Sequence, residues 1–393
     1  MNILTVAEYQ GRCDEAGRAV GHAPKVLTEY LSCVHEGRDV RVFAPKNVIR
    51  SACCIAGVKK KETAEDGDKA LLWKKLIREH KVRVLPHHIV MKGHTSFCGR
   101  IMNKLRMFAN IRMVLRNSPG KKVWFFNTEY YLMLYLALFG NGGKEIYITT
   151  FMEGFRAGKN GRFAYFKQKI FEKAQKKIKL IIATGPGYEF KNAESVFIPD
   201  YIYDPGLYEK FRKDKNDREL KKYAVCLGTM NPEKQLEEMV EAFTRTGYPL
   251  IVAGFFYDKD RLLKLRQMAG DNVDIRDGYL SKDEYLDLLA GAEFAVLPYS
   301  PDQYSNQTSG VLQEAVFLDT VPLSYNAVLD GNRVPGVGFD SFDDIDTDML
   351  EISEKKRKEF TAHYMHLREE IYDSSVVETK LQKCFDQSEE ADA

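Results

Sequence analysis

The sequence predicts an α/β protein built from two Rossmann-like, doubly wound domains that face each other across a cleft. Three observations predict it. Short runs rich in β-branched and aromatic residues alternate with longer amphipathic runs, the pattern of parallel strands joined by helices. The chain has 393 residues, enough for two large domains at roughly 100–200 residues each. A charged stretch from Tyr203 to Lys222, poor in strand-forming residues, divides the series in two. The expected organisation is therefore a first domain over 1–202, a linker over 203–222, a second domain over 223–352, and a charged helical tail over 353–393 that packs back on the first domain.

The elements follow in order. Residues 2–7 read as a strand, and a loop rich in glycine and charge runs from Glu8 to Ala23. Pro24 to Gly37 reads as a helix: Pro24 suits a first helical position, Val26, Leu27, Tyr30, Leu31 and Val34 recur at helical spacing, and Gly37 suits the stop. Asp39–Ala44 returns as a strand, completing a strand–helix–strand unit that implies a parallel sheet. The same reading gives strands at Val82–Leu85, Lys122–Phe126, Glu145–Thr150 and Leu180–Thr184, with helices at Arg100–Arg116, Tyr130–Phe139 and Phe163–Lys179. Beyond the linker, strands are expected at Tyr223–Gly228, Pro249–Gly254, Val273–Asp277, Phe294–Pro298 and Val321–Ser324, separated by helices.

Composition narrows the classes of function. No apolar run approaches the ~20 residues of a spanning helix, and the first residues lack the basic and apolar regions of a secretory leader. The seven cysteines form no C-x-x-C pair and are odd in number, which argues for thiols in a reducing compartment and against a disulfide framework or a zinc site. A cytoplasmic protein is expected. Net charge is +2, yet residues 1–200 hold 35 basic and 18 acidic residues and residues 201–393 hold 23 and 38. Such a split suggests that the first half meets something anionic. No nucleic-acid-binding module is recognisable, so nucleic acid is not the expected partner.

In open α/β sheets ligands bind beyond the carboxyl ends of the strands. That rule selects the loops after the strands at 223, 273 and 294. The last runs Tyr299 to Thr308 and enters a helix at Ser309-Gly310-Val311-Leu312-Gln313-Glu314-Ala315. Free N–H groups and the helix dipole make such a start an anion site. Ser309 reads either as an ordinary N-cap or as a hydroxyl donor to phosphate. Glu314 lies one turn in, as a solvated glutamate or an acceptor for ribose hydroxyls. His87, His88 and His94 have no metal-ligand spacing and no supporting carboxylate or cysteine cluster, and Asp343-Asp344-Ile345-Asp346 reads as a solvated turn.

With these pieces in order, the second half resembles the donor domain of family 4 (group 1) glycosyltransferases of the GT-B fold. The matching segments are Cys226-Leu227-Gly228-Thr229-Met230-Asn231-Pro232-Glu233-Lys234, Val252-Ala253-Gly254, Asp277-Gly278-Tyr279-Leu280, Gly291 to Pro298, and Ser309 to Ala315 followed by Val321-Pro322. They span about residues 223–326. The first half is similar more loosely, through its opening strand, glycine loop and helix, and through Gly37 to Val42 and Val196 to Asp200. The resemblance implies an acceptor-side first domain and a donor domain that binds a nucleotide sugar, UDP- or GDP-linked. It implies transfer with retention to a glycan or lipid-linked acceptor, in surface polysaccharide synthesis. Lys234 would neutralise the donor diphosphate, Ser309, Gly310 and Val311 would hold phosphate oxygens, and Glu314 would bind the ribose. Gly278, Tyr279 and Leu280 would flank the base, with Gly228, Thr229, Asn306 and Thr308 lining the donor loops. Gly21 and His22 would approach from the first domain, and Glu153 is the polar candidate in the loop after the strand at 145. No metal and no cofactor is required by this scheme.

The chain departs from the family at two positions: Asn306 stands where a first glutamate is usual, eight residues before Glu314, and Thr229 where an arginine is usual. A second reading is therefore a catalytically impaired, glycosyltransferase-like scaffold or regulatory subunit. A nucleotide-sugar epimerase of the same fold is disfavoured, because paired acidic and histidine residues are not evident. The helices from Phe163 to Lys179 and from Arg100 interleave apolar and basic residues, which suits either a core-facing stripe with solvated lysines or peripheral binding to anionic lipid on the inner face of the membrane.

Overall fold

The computed structural model describes residues 3–13, 19, 23–58, 67–90, 97–126, 130–151, 162–217, 222–301 and 308–386. They form two compact units. The first comprises the chain up to Asp200, apart from 185–187, together with the segment from Val377, and the second comprises 185–187 and Tyr201–Val376.

The first unit contains strands β1 (Ile3–Glu8), β2 (Arg12–Cys13), β3 (Asp39–Pro45), β4 (Val82–Leu85), β5 (Ile89–Val90), β6 (Lys122–Phe126), β7 (Glu145–Thr150), β8 (Ile178–Ala183) and β9 (Ser195–Phe197). Helices α1 (Ala23–Val34), α2 (Lys46–Ile55), α3 (Asp68–Arg78), α4 (Phe97–Asn117), α5 (Tyr130–Phe139) and α6 (Arg162–Gln175) connect them. Seven strands form one parallel sheet in the order β4-β3-β1-β6-β7-β8-β9, and β2 pairs with β5 alone. Every residue of β6 is buried, as befits a strand covered on both faces. Trp124 within it donates from Nε1 to Thr149 Oγ1 at 2.8 Å, so its one polar atom is satisfied inside the core.

The second unit opens with α7 (Pro205–Asp217) and continues through β10 (Ala224–Leu227), α8 (Leu236–Thr246), β11 (Leu250–Gly254), α9 (Lys259–Met268), β12 (Val273–Asp277), α10 (Lys282–Gly291) and β13 (Phe294–Leu297). After the loop come α11 (Gly310–Phe317), β14 (Val321–Tyr325), α12 (Asn326–Asn332), β15 (Val337–Phe339) and α13 (Glu354–Leu367). The sheet order is β12-β11-β10-β13-β14-β15, all parallel. In chain order this is 3-2-1-4-5-6, the doubly wound arrangement, whose direction reverses between β10 and β13. A last helix, α14 (Ser374–Asp386), carries the chain back onto the first sheet.

Three local differences from expectation have physical causes. Residues 205–217, expected within the linker, form α7, because Tyr208 and Phe211 bury in the second core. The helix expected to reach Lys179 stops at Gln175, because Ile178 already belongs to β8. Within α6, Phe171 and Ala174 face the first core while Phe166 is exposed, so most of that apolar stripe is core-facing. Among the described residues, no helix is long and apolar enough to cross a membrane.

Candidate functional site

The carboxyl ends of β10 and β13 meet at the reversal point of the second sheet, and the residues there are built around glycine. Gly228 follows β10 with φ +97°, and its N–H donates to Ala253 O at 3.1 Å. Gly254 ends β11 with φ +155°, and a Cβ on it would lie 1.7 Å from the Gly228 carbonyl oxygen. The two backbones therefore touch, and only glycine permits the contact. Gly278, after β12, donates to Gly254 O at 3.0 Å with φ +152°. Three strand ends are thus tied into one rim. Thr229 and Tyr279 are exposed along it.

Lys234 lies inside this rim. A turn over Asn231–Lys234 brings it to an isolated bridge with Tyr299 from the loop after β13, and Gln235 N–H donates to Pro298 O at 2.8 Å. The side chain is 5% exposed. Its Nζ donates to Leu227 O at 3.0 Å, lies 3.8 Å from Met230 Sδ, and sits 5.9 Å from the centre of the Tyr299 ring. Among the described residues no carboxylate stands within ion-pairing distance. Burial pushes the ammonium pKa down, outweighing the opposing influence of Cys226. An ammonium desolvated without a counter-ion is costly, and it sits at the topological place where open α/β sheets bind ligands.

The start of α11 faces the same end of the sheet. Ser309 is its N-cap, with φ −122°, and its Oγ accepts from Leu312 N–H at 3.4 Å and lies 2.9 Å from the Tyr299 hydroxyl. Gln313 N–H donates to Ser309 O. The first-turn N–H groups of Gly310 and Val311 have no acceptor within the helix. The absence of a side chain at Gly310 also has a packing cause that the sequence did not reveal. A Cβ there would lie 2.3 Å from Cζ and Oη of Tyr201, whose ring rests on the helix start.

Glu314, one turn in, is held by two phenols. Tyr208 donates to Oε1 at 3.2 Å and Tyr285 to Oε2 at 2.8 Å. Burial, followed by the Glu314 charge, raises the pKa of both tyrosines, so each stays a donor at neutral pH. A carboxylate has about four lone-pair directions, so each oxygen keeps room for one more donor. At the far side of the rim, the Tyr279 ring stacks on Phe255 at 4.7 Å and 12° and is 79% exposed. Tyr257 stands edge-on to Phe255, and Lys259 lies over Phe255 at 5.2 Å while pairing with Asp277 at 2.6 Å. That ammonium holds the Asp277 pKa down.

The residues expected to hold a donor are thus largely brought to one end of one sheet: Gly228, Thr229, Lys234, Gly278, Tyr279, Leu280, Thr308, Ser309, Gly310, Val311 and Glu314. Gly21, His22, Glu153 and Asn306 lie outside the described residues. Sequence reasoning missed the tyrosines at 201, 208, 285 and 299, which have no motif and are assembled only by folding. It also missed Glu8 in the first unit. Glu8 ends β1 beside β6, at the reversal point of that sheet, and is 2% exposed. Its Oε1 accepts from Gln10 N–H at 3.1 Å and its Oε2 from Gly11 N–H at 2.8 Å. Burial nevertheless lifts its pKa to about 7. A lone acid closing an apolar strand was the available signal. Among the described residues no group of three His, Cys, Asp or Glu side chains is placed to hold a metal ion.

No protein-family model matches the chain, and no curated protein sequence matches it. Solved structures do. The N-terminal domain of Candida albicans trehalose-6-phosphate phosphatase superposes with a TM-score of 0.62 at 12% identity, covering 98% of this chain and 97% of that one. The chain has the GT-B fold. Anabaena HepE in complex with UDP and glucose matches at a TM-score of 0.60 and 11% identity over 98% of this chain and 100% of that one. A UDP-forming α,α-trehalose-phosphate synthase from Burkholderia xenovorans, in complex with glucose-6-phosphate, matches with the same scores and coverage. At such identities the likeness is one of fold.

Proposed function

We propose that the protein is a glycosyltransferase of the family 4 type. It takes a hexose or related sugar from a nucleotide-sugar donor, UDP- or GDP-linked, and passes it with retention to a glycan or lipid-linked acceptor. It works in the cytoplasm, with peripheral contact to the inner face of the cell membrane, in surface polysaccharide synthesis. The observation that carries the reading is the buried ammonium of Lys234 at the reversal point of the second sheet, with no carboxylate within ion-pairing distance among the described residues. A diphosphate would supply that ammonium with a counter-ion. UDP in the HepE complex and in the name of the trehalose-phosphate synthase favours a uridine donor.

In this scheme, the leaving diphosphate gains negative charge as the glycosidic bond to the donor breaks. Lys234 and the N–H groups of Gly310 and Val311 oppose that charge from fixed positions in a desolvated site, which lowers the barrier without a metal. Glu314, oriented by Tyr208 and Tyr285, accepts from the ribose hydroxyls. The exposed face of Tyr279 offers the base a stacking surface, with Gly278 and Leu280 beside it.

Titration calorimetry with UDP and GDP, followed by donor hydrolysis in a mixed nucleotide-sugar assay, tests the reading. Binding of neither nucleotide would overturn it. Binding with neither hydrolysis nor transfer would favour the scaffold reading. Asn306 and Thr229, which replace the usual glutamate and arginine, and the Ser309 hydroxyl already engaged by Tyr299 and the helix cap support that second reading.

A further inference from the structure

Helices α4, α5 and α6 lead into the parallel strands β6, β7 and β8, and all three send side chains into the same core. They therefore lie on one face of the first sheet, with their amino ends at its carboxyl edge, the edge where open α/β sheets take ligands. Around those ends rings alternate with ammonium groups. Lys104 of α4 lies 5.4 Å from the centre of the Tyr131 ring on α5. Lys167 of α6 lies 5.5 Å from the Tyr130 ring, and Lys169 lies 5.5 Å from the ring of Tyr165, one turn before it. Tyr130 meets Tyr131 edge to face, and Tyr165 meets Phe166 in the same way. With neighbouring helix axes about 8–10 Å apart, the strip crosses about 16–20 Å of surface.

Two properties of the strip point to its occupant. Its rings are presented to water: Tyr165 is 63% exposed and Phe166 62%. Its charge has one sign. Helix α4 contains five basic residues, α5 none and α6 four, against the single acid Glu172. Glu172 is shared by Lys169 at 3.3 Å and Lys191 at 3.9 Å. Among the described residues no carboxylate reaches Lys104 or Lys167. A ring face attracts an ammonium without neutralising it, so positive charge is left over beside exposed rings. A pyranose offers a ring its flat C–H face and offers phenols its hydroxyls. A carboxylate or phosphate on that pyranose balances the ammonium charge through charge-assisted hydrogen bonds.

We propose that this strip holds an acidic glycan, a chain whose saccharide units carry carboxylate or phosphate groups. The proposal rests on the glycosyltransferase reading given above and narrows it. The strip grips units remote from the reacting end, and so selects an anionic polymer as the chain to be extended. Tyr165 and Phe166 stack on pyranose faces, while Lys104 and Lys167 pair with the acidic groups. Three of the four rings are phenols, which hydrogen-bond a polyol along its length.

Binding of the full chain to polygalacturonate, hyaluronan and phosphomannan tests the proposal, each polymer beside its carboxyl-reduced or dephosphorylated neutral form. At least one charged polymer is expected to bind about tenfold or more tightly than its neutral form, and added salt should weaken that binding. The exposed pairs Tyr165→Ala/Phe166→Ala and Lys104→Gln/Lys167→Gln are each expected to lower that affinity about tenfold, with UDP affinity as in the wild type. Binding to none of the three polymers, equal affinity for charged and neutral forms, or variants that bind as well as the wild type would overturn the proposal. So would variants that lose binding to phosphatidylglycerol vesicles and keep it for the glycan, which would give the strip to a bilayer. UDP calorimetry on the same preparations separates the two readings. Absent UDP binding with glycan binding intact would sink the transferase and leave the strip standing, whereas intact UDP binding without glycan binding would remove only the strip.

Discussion

Replacing Lys234 by methionine separates a ligand-binding ammonium from a structural one, because the two roles predict opposite signs of stability change. The residues are similar in length, so packing against Met230 and Tyr299 is conserved. Lys234 is 5% exposed, and among the described residues its ammonium has one carbonyl and one sulfur as near polar contacts. The desolvation cost of a buried ion is several kcal/mol, and one charge-assisted hydrogen bond to Leu227 O returns about 1.5–3 kcal/mol. A net penalty of about 1–3 kcal/mol remains, so Lys234→Met is expected to raise stability by that amount at pH 7.5. The lowered pKa agrees in sign. A lysine whose folded pKa falls below its unfolded value binds fewer protons when folded, so stability rises with pH through that window. The variant loses that rise. Donor affinity moves the other way: losing a buried charge pair with a diphosphate costs about 2–5 kcal/mol, or about 30-fold to several thousandfold in Kd for UDP. Urea unfolding and UDP calorimetry on wild type and variant read both numbers. A variant that is less stable and binds UDP unchanged would show that Lys234 is a structural lysine and refute the reasoning.

Further outcomes are expected elsewhere. Tyr285→Phe removes a 2.8 Å hydrogen bond to the Glu314 carboxylate, leaving Tyr208 as its remaining phenol donor. UDP affinity should fall about tenfold and inorganic pyrophosphate affinity should not move; parallel losses for both ligands would contradict a role at the ribose. Gly254→Ala places a Cβ 1.7 Å from the Gly228 carbonyl at a φ of +155°, and should cost more than about 4 kcal/mol, seen as loss of the cooperative unfolding transition of the second unit. Glu8 has a folded pKa of about 7 against an ordinary 4.5. The native state therefore keeps a proton that the unfolded chain has lost between those values. Stability falls as pH rises through that window and levels above it, by about 3 kcal/mol in all. Glu8→Gln should flatten the slope between pH 5 and 8 in urea midpoints, and an unchanged slope would assign it to other groups.

The sequence showed most clearly what depends on local pattern. Strands such as Lys122–Phe126 and Glu145–Thr150 are continuous apolar or β-branched runs, and a run buried on both faces announces itself. Glu314 could be singled out because it lies one turn into the helix that follows a strand end, where open sheets bind ligands, and Lys234 through the resemblance of its loop to a donor domain. The tyrosines were not. Tyr208 is on a helix in a segment that reads as charged linker, and Tyr285 is 29 residues from the carboxylate it binds. Their meeting is a property of the packed sheet, which no window of the sequence contains. Gly310 was singled out for an anion, but its missing side chain is also explained by the ring of Tyr201, more than a hundred residues away. Glu8 escaped because one acid after an apolar strand resembles an ordinary loop start until burial is known.

The return of α14 to the first sheet has a consequence for biogenesis. Phe385 packs against Trp124 and Tyr147 at 5.0 Å each, Lys122 donates to the Phe385 carbonyl, and Arg38 pairs with Asp386. These partners are translated more than two hundred residues apart, with the whole second unit between them. A ribosome releases the early half with one flank of its hydrophobic sheet still bare, and the gap closes only when the segment beyond the later unit emerges. The half made first is therefore finished last, and chaperone demand during translation should concentrate on the aromatic ledge around Trp124.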